Sequence, residues 1–186
     1  MFNIAEPKMN RGPFPESIAA LVTEAKNNPA AFGRLYDHYV QPVYRYLYSR
    51  VGSVPEAEDL TSQTFIAAYE ALPRYHERGQ FAAWLFRIAR SKLMDHFRKS
   101  KVEVELDMAE SAAEEGDALS DLIQDEEIRQ LKTLIQSLNS DEQDLIHFRY
   151  VAGLSFPEMA EVLGKREDAV RKSVTRLMTR LKGQME

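Results

Sequence analysis

The sequence lacks cysteine, and it contains no apolar run of the ~18 residues that a membrane-spanning helix needs. The missing cysteine excludes disulfides, thiolate catalysis and cysteine-ligated zinc. The four histidines, at positions 38, 76, 96 and 147, are far apart and form no local ligand pair, so we expect neither a metal site nor a cofactor. The N-terminus also lacks the apolar core of a signal peptide. These absences predict a soluble cytoplasmic protein without membrane insertion.

Strand-period runs flanked by hairpin turns are also missing, and most Gly and Pro residues stand where helices would end. The fold class is therefore predicted to be all-α. No nucleophile–base pair or glycine-rich phosphate loop is visible, so we predict no catalytic residues and no enzyme activity.

Positive charge is scarce along one stretch of the chain. Residues 102–127 hold eleven acidic residues and no Lys or Arg. Removing these eleven charges from the formal net charge of −5 leaves +6 for the remainder. Such a distribution predicts two basic blocks that can face nucleic acid, joined by an acidic flexible linker.

The predicted organisation is thus two small helical domains. Residues 1–14 form a flexible tail, 15–100 the N-terminal domain, 101–127 the linker, and 128–186 a C-terminal domain with a helix-turn-helix.

Capping patterns predict where several helices begin. The predicted capping boxes are Ser53 with Glu56, Ser140 with Gln143, and Ser155 with Glu158. Asn28 and Pro29 read as an N-cap and a first helical residue. Pro42 is predicted to kink or divide the aromatic-rich helix that follows.

The helix-turn-helix is predicted between Gly153 and Lys182. After the Ser155 cap, Ala160 and Gly164 provide a small residue and a tight turn. A second helix then carries an apolar stripe at helical spacing, formed by Val170, Val174, Leu177 and Leu181.

The polar side of this second helix can enter a major groove, where Arg and Lys read guanine edges and a carboxylate accepts from cytosine. Asp168, Lys172, Thr175 and Thr179 lie roughly opposite the apolar stripe, and four arginines lie on or near its flanks: Arg166, Arg171, Arg176 and Arg180. A simpler interpretation is a solvated basic helix at the end of a bundle, with its acidic residues placed to favour the helix dipole.

A second unusual helix is predicted from about Gln80 to Lys99. It is apolar over most of its circumference, so it must pack against more than one neighbour. The narrow remaining stripe is formed by Arg87, Arg90, Ser91, Met94 and Arg98. This stripe favours an anionic partner, although pairing of the arginines with nearby carboxylates would also account for it.

Taken together, both blocks resemble a bacterial sigma factor of the extracytoplasmic-function (ECF) group, over about residues 16–182. The resemblance rests on AFGRLYDHY at 31–39, AEDLTSQTF at 57–65, FAAWLFRIARSKLMDHFR at 81–98, and the helix-turn-helix. It implies that the chain binds core RNA polymerase and promoter DNA, both as duplex and as single-stranded non-template strand. It also implies an anti-sigma factor as a partner.

The resemblance implies roles for individual residues. Asp59, Ser62 and Gln63 fall where the family contacts the polymerase clamp, although the family usually has Gln and Glu at the last two positions. Tyr75 falls in the loop that captures a flipped minus-ten base, where an aromatic face can stack on it. Ser91 stands where Asn is common. The stripe residues Arg87, Arg90, Ser91 and Arg98 then bind the minus-ten element. The resemblance also implies a set of duplex-binding residues for the minus-thirty-five element, at the groove-facing positions of the helix-turn-helix: Arg166, Glu167, Arg171, Lys172, Thr175 and Arg176.

Other protein classes fit the sequence less well. A stand-alone helix-turn-helix regulator needs only the C-terminal block. A polymerase-binding regulator that does not initiate transcription would share both blocks. Promoter-dependent transcription distinguishes a working sigma factor from either.

Overall fold

A computed structural model describes residues 17–107, 133–135 and 137–185, and all the regular elements in these ranges are helical. This confirms the predicted all-α class. The predicted tail and residues 108–127 of the predicted linker lie outside the described residues.

The N-terminal domain contains four α-helices: α1 (Ile18–Ala25), α2 (Pro29–Val51), α3 (Val54–Ala71) and α4 (Phe81–Asp107). A short 3-10 helix, Leu72–Arg74, follows α3. Because α4 extends to Asp107, the first seven residues of the predicted linker are helical.

Helix α2 begins as predicted, with the Asn28 side chain accepting from Ala30 N and Pro29 in the first turn. Pro42 does not divide it, since the helix runs continuously to Val51. Leu35, Val43 and other residues of α2 are fully buried, and their packing outweighs the backbone hydrogen bond that proline removes.

The predicted capping box at Ser53 is wrong. Ser53 is the N-cap of α3, but its side chain makes no capping hydrogen bond. The Glu56 carboxylate lies 3.3 Å from His96 Nε2 on α4 instead. An interhelical contact has therefore replaced the local one.

Helix α4 is the central helix of the N-terminal domain, in agreement with its wide apolar surface. Among its residues from 81 to 100, seven are buried: Phe81, Ala82, Ala83, Leu85, Phe86, Ala89 and Leu93. It contacts α3, α2 and α1, as well as the C-terminal domain. Burial on several sides fixes which narrow stripe of α4 can face outward.

The C-terminal domain contains α5 (Ser140–Ile146), α6 (Phe156–Leu163) and α7 (Glu167–Met185). The capping box of α5 is formed by Asn139 and Glu142, one residue earlier than the predicted pair. Gln143 donates from its side-chain amide to the carbonyl of Leu138, at 3.1 Å, instead of capping. The predicted Ser155–Glu158 box is confirmed at the start of α6.

Helix α5 continues into one turn of π-helix, His147–Val151. Phe148 in this turn is fully buried against the N-terminal domain, with its ring centroid 4.7 Å from that of Tyr46 and 6.1 Å from that of Phe86. The two domains therefore share one hydrophobic core, a contact that the sequence did not predict.

Candidate nucleic-acid and polymerase interfaces

The turn between α6 and α7 matches the predicted helix-turn-helix. Gly164 adopts a left-handed backbone conformation with φ +62°, which glycine allows at little steric cost. The stripe residues Val170, Val174, Leu177 and Leu181 are all buried. The opposite side of α7 consequently faces away from the core.

Five of the six predicted duplex-binding residues are exposed on α7 or immediately before it, and Glu167 is half-buried. The exposed five are Arg166, Arg171, Lys172, Thr175 and Arg176. We call the six residues the α7 face. The structure places them along α7 and at the residue immediately before it.

Arg171 is held in place from two sides. Glu167 Oε1 accepts from Arg171 Nη2 at 2.7 Å, and the guanidinium carbon lies 4.5 Å from the centroid of the Phe156 ring. Arg149 lies against the same ring, at 4.6 Å. Such cation–π contacts restrict the rotamers of an exposed arginine. Arg171 is thus oriented before any ligand binds, and Glu167 has a local role in addition to the predicted cytosine contact.

The predicted α4 stripe is only partly open, and three of its arginines pair with carboxylates, which is the second interpretation that the sequence left open. Arg87 Nη2 donates to Glu161 of α6, to the carbonyl at 2.6 Å and to Oε1 at 2.7 Å. Arg90 Nε donates to Asp144 Oδ2 at 2.6 Å. Ser91 and Arg98 are exposed, and Arg98 forms an ion pair within α4, 2.8 Å from Asp95.

Asp144 is the centre of this interdomain contact. Its side chain is 0% exposed, and it accepts hydrogen bonds from Arg90, Arg50 and the Tyr46 hydroxyl, the last at 3.2 Å. The Arg50 side chain is itself only 2% exposed. A carboxylate from one domain is therefore buried among two guanidinium groups of the other, and we call this set the Asp144 cluster.

Burial and charge at this contact shift the pKa values of Tyr46 and Arg90, which belong to the cluster, and of His147, which does not. Burial, and next the negative charge of Asp144, raise the pKa of Tyr46 well above its usual value. Burial alone would lower the pKa of Arg90, but the hydrogen bond and charge of Asp144 outweigh it and raise that pKa. Burial, aided by the charge of Arg50, lowers the pKa of His147 to about 4.

Sequence reasoning missed the Asp144 cluster, although a weak signal was present. Asp144 and Phe148 are four residues apart, as are Tyr46 and Arg50. Each pair places a charged and an aromatic side chain on one helix face. Nothing in either helix alone shows that the two faces meet.

Tyr75 lies in the predicted loop, but its ring is half-buried. It packs at 4.5 Å from Trp84 and 5.9 Å from Phe81, and its carbonyl accepts from Lys26 Nζ at 2.6 Å. Burial, and then the charge of Glu77, raise the pKa of the Tyr75 hydroxyl to about 12. One face of the ring is thus supported by other aromatics.

Asp59, Ser62 and Gln63 are exposed along one face of α3. Gln63 Nε2 donates to Asp59 Oδ2 at 2.7 Å. Ile66, 60% exposed, and Tyr69, 47% exposed, continue this face toward the end of the helix. The sequence analysis did not assign these two to the polymerase contact. Ile66 is four residues after Ser62 and three after Gln63, and Tyr69 is three after Ile66, so helical spacing was a usable signal.

Metal and membrane features are absent from the described part of the chain. Within it, no three His, Asp or Glu side chains gather closely enough to hold a metal ion. None of the helices built from the described residues has both the length and the apolarity to cross a membrane.

Comparison with known proteins gives two family matches. Residues 35–102 match the model of Sigma-70 region 2, and residues 128–181 match that of Sigma-70, region 4. The first match includes α3 and α4 as far as residue 102, and the second includes α6 and α7 as far as residue 181. Together they span most of the chain.

Among curated relatives, the ECF RNA polymerase sigma factor BldN of Streptomyces coelicolor is 37% identical over 171 residues, which are 87% of this chain and 65% of BldN. The chain therefore spans just under two thirds of BldN. The ECF sigma factor SigW of Bacillus subtilis is 29% identical over 172 residues, which are 86% of this chain and 91% of SigW.

Solved structures share the fold. CnrH, in complex with the cytosolic domain of CnrY, has a TM-score of 0.66 at 23% identity, over 90% of this chain and 96% of that one. RpoE, in complex with the anti-sigma factor NepR from Bartonella quintana, has a TM-score of 0.64 at 21% identity, over 82% and 94%. With both sigma-70 regions matched in order and ECF sigma factors as relatives, the chain belongs to the ECF group of RNA polymerase sigma factors.

Proposed function

We propose that this protein binds core RNA polymerase in the cytoplasm, directs it to specific promoters and promotes DNA melting at the start site. The observation that carries the proposal is the α7 face, an exposed polar surface presented by a helix-turn-helix whose other side is buried. The family membership supports the same function. The chain itself makes and breaks no bonds, because polymerase supplies the chemistry.

The α7 face reads the duplex minus-thirty-five element. Arg166, Arg171 and Lys172 are long cationic donors near the N-terminal end of α7, which is the end that enters a groove in helix-turn-helix proteins. Arg171, already oriented by Phe156, is the side chain best suited to a two-point contact with guanine. Thr175 and Arg176 lie one turn further along and suit phosphate contacts.

The minus-ten element is held as a single strand by the N-terminal domain. Arg87, Arg90 and Arg98, with Ser91 between them, supply sequence-independent contacts to the backbone. Tyr75, backed by Trp84, supplies a face for an unpaired base. Preferential binding of the melted strand shifts the equilibrium toward strand separation. Because the arginines contact phosphates, the affinity for the strand should fall as the salt concentration rises.

The exposed face of α3 docks on the polymerase clamp. Asp59, Ser62 and Gln63 supply the polar contacts, and Ile66 and Tyr69 add exposed apolar surface beside them. Polar groups around a small apolar patch are typical of protein–protein interfaces.

An anti-sigma factor is the proposed regulatory partner. Among the solved structures with this fold, RpoE is in complex with the anti-sigma factor NepR, and CnrH is in complex with the cytosolic domain of CnrY. The alternative of a stand-alone helix-turn-helix regulator is not favoured, because it leaves the region 2 match at 35–102 without a role.

The test is run-off transcription with purified core polymerase on a pool of promoter fragments from the source genome. A transcript with a defined start that requires this protein is the expected result. The variant Asp59→Ala should lose transcript and core binding together, while Glu58→Ala, exposed on the next position of the same helix, should retain both. Core binding without a transcript would indicate a non-initiating regulator. The absence of both core binding and a transcript would instead favour a duplex-binding regulator.

A further inference from the structure

The loop formed by residues 75–80, which we call the Tyr75 loop, is tied to helix α1 by a long-range hydrogen bond. Lys26, the C-cap of α1, donates from Nζ to the Tyr75 carbonyl at 2.6 Å, across 49 positions of the chain. In the described structure the other hydrogen bonds of this loop are local, such as that from Tyr75 N to the Leu72 carbonyl at 3.0 Å. Lys26 therefore connects the loop to a second helix.

Helix α1 gives this hydrogen bond a firm support. Leu21 and Val22 are fully buried, Ala25 is 3% exposed, and α1 packs on both α2 and α4. Lys26 is itself half-buried and precedes residues 35–102, which match Sigma-70 region 2. The hydrophobic core thus sets where the Lys26 ammonium group lies, independently of the loop.

Tyr75 is fixed at its ring and at its backbone by different elements. Trp84 lies against the ring at 4.5 Å, with an interplanar angle of 34°, and Phe81 lies at 5.9 Å and 78°. These contacts limit the tilt of the ring, but they allow the backbone to slide along the aromatic surface. The hydrogen bond from Lys26 removes that freedom, because it holds the carbonyl of the same residue. Its charged donor makes it stronger than a bond between neutral groups.

We propose that Lys26 is a positioning residue for base capture and that it acts through Tyr75. The proposal rests on the proposed function, in which the Tyr75 ring stacks on an unpaired minus-ten base. A ring that is already fixed loses little conformational entropy when the base binds, whereas a mobile loop must first be ordered. Lys26 accordingly raises the affinity for the single strand without contacting DNA.

Three variants isolate this role. Lys26→Met keeps an aliphatic side chain but removes the donor, and Lys26→Arg restores a charged donor. The matched control is Arg45→Met, which removes one positive charge from an exposed position of α2 that is not assigned to DNA.

The position of the loop is measured first, on the full chain without DNA or polymerase. The sequence has one tryptophan, Trp84, which is half-buried beneath Tyr75, so acrylamide quenching of its fluorescence reports how well the loop covers it. We expect stronger quenching in Lys26→Met, and wild-type quenching in Lys26→Arg and Arg45→Met. Unchanged quenching in Lys26→Met would refute the positioning role.

Base capture is measured second, with the polymerase holoenzyme and a fluorescein-labelled single strand that spans the minus-ten element found by run-off transcription. We expect Lys26→Met to bind this strand about three- to tenfold more weakly than the wild type, and Lys26→Arg to bind it as the wild type does. An abasic residue then replaces each base of the strand in turn. At the captured base it should abolish the difference between Lys26→Met and the wild type.

Two results would overturn the proposal in different ways. A difference that persisted on every abasic strand would make Lys26 a phosphate contact instead of a positioning residue. Tyr75→Ala tests base capture itself, and an unchanged affinity in that variant would remove this part of the proposed function. The quenching of Trp84 would still decide whether Lys26 holds the loop.

Discussion

The two basic helices of this protein differ in what lies opposite their cations. On α7 the exposed Arg171 is paired within its own helix, with Glu167, and 55% of its side chain is exposed. On α4, Arg87 and Arg90 meet carboxylates of the other domain. A charge pattern along one helix therefore indicates which side chains leave their own domain. It does not indicate what covers them, because that depends on contacts distant in sequence.

The largest expected effect comes from disrupting the packing between the two domains. Phe148→Ala removes a fully buried ring that packs on Tyr46 and Phe86, and large-to-small changes of this kind cost about 3–5 kcal/mol. Urea unfolding should show this loss. Ile66→Ala, at an exposed position, should change stability by no more than about 0.5 kcal/mol. Equal, small effects of the two variants would mean that the domains are not packed together.

The second prediction uses pH. His147 is buried and its folded-state pKa is lowered to about 4 from a usual 6.5, by burial and by the charge of Arg50. Between these values the unfolded chain binds a proton that the folded chain does not, so stability is full above pH 6.5 and falls toward pH 4. The shift corresponds to a loss of about 3 kcal/mol.

Urea unfolding across that pH range measures the effect. His147→Gln should flatten the dependence on pH, while His76→Gln, at an exposed loop position, should leave it as in the wild type. If His147→Gln and the wild type lost stability in parallel, carboxylates elsewhere would be responsible.

The third prediction concerns the exposed cations of α7. Arg171→Ala should lower transcription from the preferred promoter by about ten- to a hundredfold and weaken discrimination at one upstream base pair, since a bidentate guanine contact contributes about 1–3 kcal/mol. Run-off transcription on single-base promoter variants measures both effects. Arg180→Ala is the control, because Arg180 already pairs with Glu142 of α5 at 2.8 Å. A uniform loss on all promoter variants would make Arg171 a phosphate contact.

The helix-turn-helix could be predicted because its determinants are local. The Ser155–Glu158 box, the left-handed Gly164 and the buried stripe of α7 all act within about one turn of helix or follow its period. The same rules failed by one residue at α5. Asn139 with Glu142 and Ser140 with Gln143 both satisfy the capping pattern, and only the folded position of Gln143, bonded back to Leu138, decides between them.

The Asp144 cluster could not be predicted for the opposite reason. Asp144 is separated from Arg50 by 94 positions in the chain, so no periodicity connects them. The π-helical turn after Ile146 also shifts the register by which a helical pattern would place Phe148. The sequence left two interpretations open for the stripe on α4, an anionic partner or pairing with carboxylates. It could not identify Glu161 and Asp144 as those carboxylates, because both are distant in the chain.

The smallest expected effect concerns the N-cap of α6, a local determinant of the helix-turn-helix. Ser155→Ala removes a capping box in which the hydroxyl accepts from Glu158 N and the Glu158 carboxylate accepts from Ser155 N, so we expect a loss of about 1 kcal/mol in urea unfolding. Ser53→Ala is its matched control, because the Ser53 side chain makes no capping bond although it occupies the same position on α3. The loss of stability in Ser53→Ala should stay within a few tenths of a kcal/mol.

Because Ser155 supports α6, which packs directly on α7, its replacement should also loosen the α7 face and weaken use of the upstream element. Equal losses from both serines would show that N-cap position, rather than the hydrogen bonds seen here, sets their contribution.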